Sequence, residues 1–368
     1  MAIYIYQSKE WPHFIWNEEK LLPLLAGVRY RQGRLLGYMQ AIGFNLQKEA
    51  ILQTLTLDVL KSSEIEGEIL NADQVRSSIA RRLGLEIAGL VPSDRHVDGV
   101  VEMMLDATQN YKELLKMKRL FGWHAALFPT GRSGMHKIVV GAWRTNTINE
   151  PMQVVSGAIG REKVHFQAPG ADVLADEMTA FLKWFESAPD TDAVIKAAIA
   201  HLWFVTLHPF GDGNGRIARA IADLQLARSD SGSQRFYSMS AQIRKERNAY
   251  YEILEKTQKG SIDITDWLEW FLSCLDRAIL STDEILSVVI KKAKFWERQA
   301  TAVLNERQKM MLNKLLDVFD GKLTSSKWAK IAKCSSDTAV RDINILLEKG
   351  ILSKEDAGGR STNYILNI

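Results

Sequence analysis

Cysteine, proline and excess charge are all scarce in this chain of 368 residues. Two cysteines, Cys274 and Cys334, are too few for a disulfide framework or for a zinc site of the usual Cys and His spacing. A net charge of +3 is too small to indicate nucleic-acid binding by itself. With 46% hydrophobic and 25% charged residues, the composition also excludes disordered, collagen-like and rod-shaped proteins.

Long apolar runs are absent as well. No stretch approaches the ~20 apolar residues that a membrane helix needs. The first residues do not combine a basic region with a following apolar one, as a signal peptide does. We therefore expect a cytoplasmic protein with reduced thiols and without a membrane partner. No proline follows Pro209, which favours a helical C-terminal half.

The first region, residues 1–118, is predicted to be mainly helical. The spacing of its apolar residues predicts helices over 49–60, 73–83 and 96–115. Glycine and proline interrupt the pattern at 84–93. The sequence therefore predicts an N-terminal helical region.

The second region, residues 119–280, combines a small β-prone patch with long helices. Three short runs rich in β-branched residues lie at 137–140, 152–155 and 164–166. The last two runs flank glycines, which predicts a hairpin. Amphipathic helices are expected at 172–186 and 192–207.

A linker helix is expected within 281–303, followed by a separate module at 304–368. The order of elements in this module, three helices and then two strands around a Gly-Gly turn, resembles a winged helix-turn-helix. It carries eleven Lys and Arg against eight Asp and Glu. The basic residues expected near a groove-facing surface or on the wing are Lys327, Lys330, Lys333, Arg341 and Arg360. DNA binding, protein docking and homodimer formation stay open for this module.

The most informative stretch is a glycine-rich loop between two helices, residues 208–219. Glycines at 211, 213 and 215 let the backbone approach a ligand closely and point successive N–H groups inward. The N-terminus of the following helix adds a partial positive charge, which favours phosphate. The loop is not a dinucleotide fingerprint, because a helix precedes it, and it lacks the Gly-Lys-Ser/Thr of a Walker loop.

Four side chains of this loop suit phosphate chemistry. Arg216 and Arg219 share a helix face and can both reach anionic oxygens. Asp212 is a hard carboxylate placed to hold Mg²⁺ against phosphates. His208, with an ordinary pKa near ~6.5, suits a general base at neutral pH.

The string His-Pro-Phe-Gly-Asp-Gly-Asn-Gly-Arg-Ile-Ala-Arg at 208–219 resembles the signature of Fic-domain proteins at every defined position. The resemblance implies a helical core and transfer of AMP from ATP onto a protein hydroxyl, with His208 as the base and Asp212 on Mg²⁺. It implies that Arg219 engages the γ-phosphate. The residues implied for the α- and β-phosphates are Gly213, Asn214, Gly215 and Arg216. Fic-like kinases carry Lys where this chain has Gly215, so nucleotidyl transfer is favoured over phosphorylation.

The resemblance extends to two further features. The hairpin at 153–166 is similar to the flap on which the family docks its target, where an extended peptide can add as a strand. A plain surface hairpin is the alternative. Tyr251 lies where the family often lines its adenine pocket, and aromatic core packing is the alternative there.

A third feature precedes the core. Residues 62–67 match the inhibitory motif Ser/Thr-x-x-x-Glu-Gly/Asn of Fic proteins, with Ser62 and Glu66 in the key places and one helical turn apart. The resemblance implies that Glu66 pairs with Arg219 and keeps it from the γ-phosphate. The chain is thus similar to the Fic class whose brake lies N-terminal to the core.

The leading interpretation is a mostly helical, Mg²⁺-dependent protein adenylyltransferase whose resting activity is kept low by Glu66. One alternative is a DNA-binding transcription regulator whose Fic core senses nucleotide. Another is de-adenylylation, in which Glu66 orients a water that removes AMP from a modified protein. The target protein and the preferred nucleotide are not predicted.

Overall fold

The computed structural model describes residues 4–41, 44–85, 89–146, 150–157, 161, 163–188, 191–232, 234–316, 319, 321–355 and 362–367. These residues form fifteen α-helices and six short strands, so the mostly helical class is confirmed. None of the helices in this described part is long and apolar enough to cross a bilayer. Arg360 of the expected wing lies outside the described residues.

The helices follow one another along the whole chain. Those before the glycine-rich loop are α1 (Glu18–Ala41), α2 (Phe44–Ile65), α3 (Ala72–Arg82), α4 (Arg95–Gln109), α5 (Met117–Leu127), α6 (Leu174–Glu186) and α7 (Ala193–Leu207). Those after it are α8 (Asn214–Ser229), α9 (Met239–Lys245), α10 (Arg247–Gln258), α11 (Thr265–Leu280), α12 (Thr282–Arg298), α13 (Glu306–Leu316), α14 (Ser325–Ala332) and α15 (Ser336–Glu348).

The prediction of one helix over 96–115 was wrong at its C-terminal end. Helix α4 stops at Gln109, and Asn110 caps it with its backbone N–H on the carbonyl of Asp106. The chain beyond is held by side chains instead of helical bonds: Arg119 donates to the carbonyls of Asn110 and Glu113. The spacing of apolar residues does not report such tertiary contacts, so the end of α4 at Gln109 could not be predicted from it.

Two helices in the middle of the molecule place the glycine-rich loop. Helix α7 is apolar and buried along nearly its whole length, and α8 packs beside it. A helix that is apolar on every side belongs inside a larger helical assembly. Because both helices are fixed in the core, the loop that joins them is held at a defined position.

The strands form three separate two-stranded antiparallel pairs within the described residues. They are β1 (Arg132–Ser133) with β2 (His136–Lys137), β3 (Gln153–Ser156) with β4 (Lys163–Gln167), and β5 (Leu352–Lys354) with β6 (Tyr364–Leu366). The β3–β4 pair confirms the predicted hairpin, which we call the flap; residues 158–160 and 162 of it lie outside the description. The run at 137–140 forms a strand only at its first residue, so that prediction was largely wrong.

The C-terminal helices and strands have a hydrophobic core of their own. One buried cluster extends to Val289 of α12, and a second begins at Phe295 of the same helix and includes the fully buried Trp328. Three helices and the β5–β6 pair surround this second cluster in the predicted order. The winged-helix assignment and the boundaries of the four regions stay predictions.

Helices α4 and α5 approach so closely that Gly99 tolerates no side chain. A Cβ at this position would lie 1.8 Å from the carbonyl oxygen of Ala126. We expect Gly99→Ala to lower the free energy of unfolding by about 3 kcal/mol, because backbone must move. The matched control is Gly122→Ala in α5, where a Cβ meets nothing within 4 Å. It should gain about 0.5–1 kcal/mol of helix stability. Thermal or urea unfolding tests both, and equal effects would contradict the packing argument.

Candidate functional site

The glycine-rich loop begins and ends with left-handed backbone. His208 caps α7 at φ 49° and ψ 55°, and Gly213 precedes α8 at φ 81°. A left-handed conformation is uncommon for a non-glycine residue and costs backbone strain. The loop therefore turns sharply at the histidine and again at the start of α8, so that the first N–H groups of α8 face the loop.

Asn214 closes this turn from inside. Its side-chain oxygen accepts from the N–H of Phe210 at 2.9 Å, and its amide donates to the carbonyl of Phe210 at 2.8 Å. The side chain is 2% exposed. Asn214 thus fixes the loop through its amide, and its part in phosphate binding stays a prediction.

Two of the glycines lie against close neighbours. A Cβ at Gly213 would lie 2.9 Å from the ring of Phe128. A Cβ at Gly215 would lie 2.1 Å from Oε1 of Glu66 and 3.3 Å from Nη1 of Arg219. The Glu66 carboxylate therefore lies directly over Gly215, at the N-terminus of α8, where an anion is favoured.

Arg219 is buried and held by the end of α2. Its Nη2 lies 2.8 Å from Oε1 of Glu66, and its guanidinium donates to the hydroxyl of Ser62 at 3.0 Å and to the Ser62 carbonyl at 2.8 Å. Helix α2 ends at Ile65, and Gly67 takes φ 83° just beyond it. The structure thus brings Ser62, Glu66 and Arg219 together, as the resemblance implies; the inhibitory role stays a prediction.

Arg216 has an acidic partner that the sequence reading missed. Its Nη1 lies 2.8 Å from Oε2 of Glu68, while the other oxygen of Glu68 pairs with His96. Burial opposes ionisation of Glu68, but His96 and Arg216 together keep its pKa below the usual value. Glu68 stands only two residues after Glu66, so the second acid near the motif was a signal that could have been used.

Each of the two arginines has a buried nitrogen that donates no hydrogen bond within the described residues. Across the part of the chain that the structure describes, Nη1 of Arg219 and Nε of Arg216 are buried without a hydrogen-bond acceptor. A buried unsatisfied donor costs about 1–3 kcal/mol. An anion is one kind of group that would satisfy both donors.

The imidazole of His208 is oriented from its own helix. Its Nδ1 lies 3.1 Å from the carbonyl oxygen of Val205. A carbonyl only accepts, so Nδ1 carries the proton and Nε2 is the basic nitrogen. Burial lowers the pKa of His208, which keeps the ring neutral at pH 7.

Asp212 lies on the loop, and its carboxylate is held at both oxygens. Ser133 of β1 donates to one oxygen, and the N–H of Gly213 donates to the other at 2.6 Å. No cluster of three metal-ligating side chains occurs among the residues described. A single carboxylate fits Mg²⁺ nonetheless, since that ion is commonly bound by one or two carboxylates and by substrate phosphates.

Arg144 binds the start of the loop through its backbone carbonyls and was not predicted. Its guanidinium donates to the carbonyls of His208 at 2.8 Å and Pro169 at 2.5 Å, and its own N–H donates to Pro209 at 2.9 Å. Burial lowers the pKa of Arg144 to about 10, so it stays charged at pH 7. Nothing in the spacing of the sequence connects position 144 to the loop.

Tyr251 lies beside the end of α2. Its hydroxyl donates to the carbonyl of Ile65 at 3.3 Å, and Arg247 lies over its ring at 5.0 Å. The place of Tyr251 next to Glu66 leaves its nucleotide-binding role a prediction. His201 behaves as a core residue, bonded to the buried Tyr250 hydroxyl at 2.9 Å, and burial lowers its pKa to about 3.

This arrangement defines a helical domain with a glycine-rich loop at a buried helix N-terminus. Solved structures share the fold. A Fic family protein from Desulfovibrio desulfuricans aligns with a TM-score of 0.52 and 20% identity, covering 94% of this chain and 96% of that one. A Fic domain containing signaling protein from Bacteroides thetaiotaomicron aligns with a TM-score of 0.52 and 18% identity, covering 71% and 98%.

Residues 114–226 match the model of the Fic/DOC family, and the chain therefore carries a Fic/DOC family domain. Residues 4–85 match a domain of unknown function, DUF4172. Similar proteins named protein adenylyltransferase Fic, from Drosophila yakuba and Drosophila melanogaster, are 25% identical over 244 residues. The alignment covers 63% of this chain and 42% of each relative, so the chain spans less than half the length of these curated relatives.

Proposed function

We propose that the chain is a protein adenylyltransferase that moves AMP from ATP to a Ser, Thr or Tyr hydroxyl of a protein. The observation that carries the proposal is the pair of buried arginines, Arg216 and Arg219, each with an unused donor at the glycine-rich start of α8. A triphosphate supplies the several anionic oxygens that such a site lacks. The name of the Drosophila relatives agrees with this reaction.

In the proposed reaction, Nε2 of His208 takes the proton of the target hydroxyl. The hydroxyl oxygen attacks the α-phosphorus of ATP, and the bond to the diphosphate leaving group breaks. Backbone N–H groups at Gly213–Gly215 and the guanidinium of Arg216 stabilise the charge that develops on the phosphates. Asp212 would hold Mg²⁺, which supplies charge neutralisation when it is bound.

The proposed resting state is inhibited. Glu66 occupies both the space over Gly215 and the guanidinium of Arg219, while Ser62 fixes that guanidinium from a second side. A γ-phosphate on Arg219 and the carboxylate of Glu66 would bring like charges together in a buried site, which is costly. ATP would therefore bind in a non-productive position until Glu66 moves away.

The partners are proposed from the same features. The flap at 153–166 would receive the target as an added strand, because exposed Val155 and Val164 line its pair. The module at 304–368 would bind DNA or another protein. A homodimer stays open, as does the identity of the target.

The function is tested by incubating the Glu66→Gly variant with labelled ATP, CTP, GTP and UTP in the presence of Mg²⁺. We expect label on the protein from ATP above the other three nucleotides. Mass spectrometry of the adduct then gives the transferred group and the modified hydroxyl. Label from none of the four would overturn the proposal, while salt-dependent DNA binding without label would support the regulator.

The clamp made by Arg144 has a measurable consequence for the proposed reaction. In the Glu66→Gly background we expect Arg144→Met to slow transfer by about 10- to 100-fold, because the His208 backbone loses its position. Nucleotide affinity should be unchanged, since Arg144 donates to carbonyls of His208 and Pro169 and not to the start of α8. Arg144→Lys keeps the positive charge, and its transfer rate should lie between those of the Glu66→Gly background and of Arg144→Met. Transfer rates with calorimetric nucleotide binding check this, and an unchanged rate would show that the clamp does not position His208.

A further inference from the structure

A second set of polar side chains lies on the flap and on α10. Ser156 of β3 and His165 of β4 meet with Oγ 2.6 Å from Nε2. On the other edge of the imidazole, Nδ1 lies 2.6 Å from Oε2 of Glu255 in α10. None of these three side chains takes part in the chemical steps of the proposed adenylyl transfer, although Ser156 and His165 lie on the flap. Their order, hydroxyl to imidazole to carboxylate, is that of an activated nucleophile.

The hydrogen bonds fix the proton of the neutral imidazole. Lys259 donates to Glu255 and is the main group that holds the pKa of its carboxyl below the ordinary value, so this side chain is a carboxylate and accepts only. Nδ1 of His165 therefore carries the proton. Nε2 is then the acceptor for the Ser156 hydroxyl, which is the arrangement in which a histidine acts as general base for a serine.

The backbone presents Ser156 to solvent. A β-bulge shifts the register between Val154 and Val155, directly before the serine. Gly157 follows with φ 109°, a conformation that favours glycine. Bulges re-aim side chains and are frequent beside active sites. Ser156 is exposed, so a reagent can reach its Oγ without any opening of the fold.

We propose that Ser156, His165 and Glu255 form a nucleophilic site that accepts an acyl group from activated carboxylic esters. The Ser156 oxygen attacks the ester carbonyl, and its proton passes to Nε2 of His165. The bond to the ester's alkoxide breaks, the imidazolium returns the proton to that alkoxide, and an acyl-serine is left. Water then hydrolyses the acyl-serine by the same proton path, which restores the hydroxyl and releases the carboxylic acid.

The proposal does not rest on adenylyl transfer, because it needs neither nucleotide nor His208. The competing structural role is a tether, in which His165 only fastens the flap to α10. A tether requires the His165 to Glu255 bond, and it gives the Ser156 hydroxyl no enhanced reactivity. The two roles therefore differ in the chemistry of one oxygen atom.

The test treats the full-length protein with p-nitrophenyl acetate, follows release of p-nitrophenolate, and maps acetylated peptides by mass spectrometry. We expect an early burst of release and acetyl on Ser156, both lost in Ser156→Ala, an exposed position where alanine leaves the core unchanged. His165→Gln should slow the burst by about 100-fold or more, the contribution of a general base. Glu255→Gln should slow it less.

Matched variants separate this site from the glycine-rich loop. His208→Ala should leave the burst unchanged, so that failure of adenylyl transfer does not affect the result. Acetyl found only on lysines, or a burst in His165→Gln equal to that of the parent protein, would overturn the proposal in favour of the tether. A fluorophosphonate probe provides the second measurement, and absence of label on Ser156 would count against the site in the same way.

Discussion

Glu66→Gly raises transfer of AMP onto protein by about 10- to 100-fold over the parent chain, corresponding to release of an inhibitory contact of about 1.4–2.8 kcal/mol. The physical reason is the 2.8 Å ion pair between Glu66 and the buried Arg219, together with the carboxylate over Gly215. Without it, Nη1 of Arg219 can donate to the γ-phosphate, while Nη2 keeps its bond to the Ser62 carbonyl. Incorporation of label from ATP with Mg²⁺ measures the effect.

The matched control for this prediction is Glu64→Gln. Glu64 also lies at the end of α2, but its carboxylate pairs with Lys61 at 2.7 Å and not with Arg219. Its removal should leave transfer unchanged. Glu66→Gly still leaves Arg216 paired with Glu68, so the double variant with Glu68→Gln should exceed the single one. Equal transfer by the parent chain and by Glu66→Gly, or an equal rise in Glu64→Gln, would refute the inhibitory role of Glu66.

His208→Ala, placed in the Glu66→Gly background, lowers transfer by about 10²- to 10⁴-fold, the usual contribution of a general base. Nucleotide affinity persists, because the phosphates are held by the start of α8 and by the two arginines. Label transfer and calorimetry with a non-hydrolysable ATP analogue measure the two quantities separately.

The control for the histidine is His13→Ala, an exposed residue before α1. It should change neither transfer nor binding. A His208→Ala variant that transfers AMP at the rate of its background would remove His208 as the base. Loss of nucleotide binding together with transfer would instead indicate that the left-handed cap of α7 fails without the imidazole.

Local rules predicted the helices of this chain well where the ends are encoded locally. The helices predicted over 172–186 and 192–207 correspond to α6 and α7, and the side chain of Asp192 caps α7 by accepting from the N–H of Val194. The apolar run at 137–140 was misread because Ile138 and Val140 pack against the core instead of pairing in a sheet. Periodicity reports that a residue is buried, and for a short run it does not report what buries it.

The residues of the candidate site likewise fall into two groups, those that local sequence patterns predict and those that they do not. Residues 208–219 and the pair Ser62 and Glu66 were found because their spacing is local and their chemistry is dense. Arg144 and Ser133 reach the loop from other elements, at 64 and 79 residues along the chain from their partners. Only the packing of α7, α8 and β1 brings them there, so no pattern in the sequence could have named them.

One measurement tests the central claim most directly. The Glu66→Gly protein is incubated with Mg²⁺ and with ATP labelled at the α-phosphorus in one sample and at the γ-phosphorus in another. We predict label on protein from the α-labelled sample alone, and from neither sample when His208→Ala is added. Label from γ-labelled ATP would indicate phosphorylation, and label from neither sample in the Glu66→Gly protein itself would contradict nucleotidyl transfer altogether.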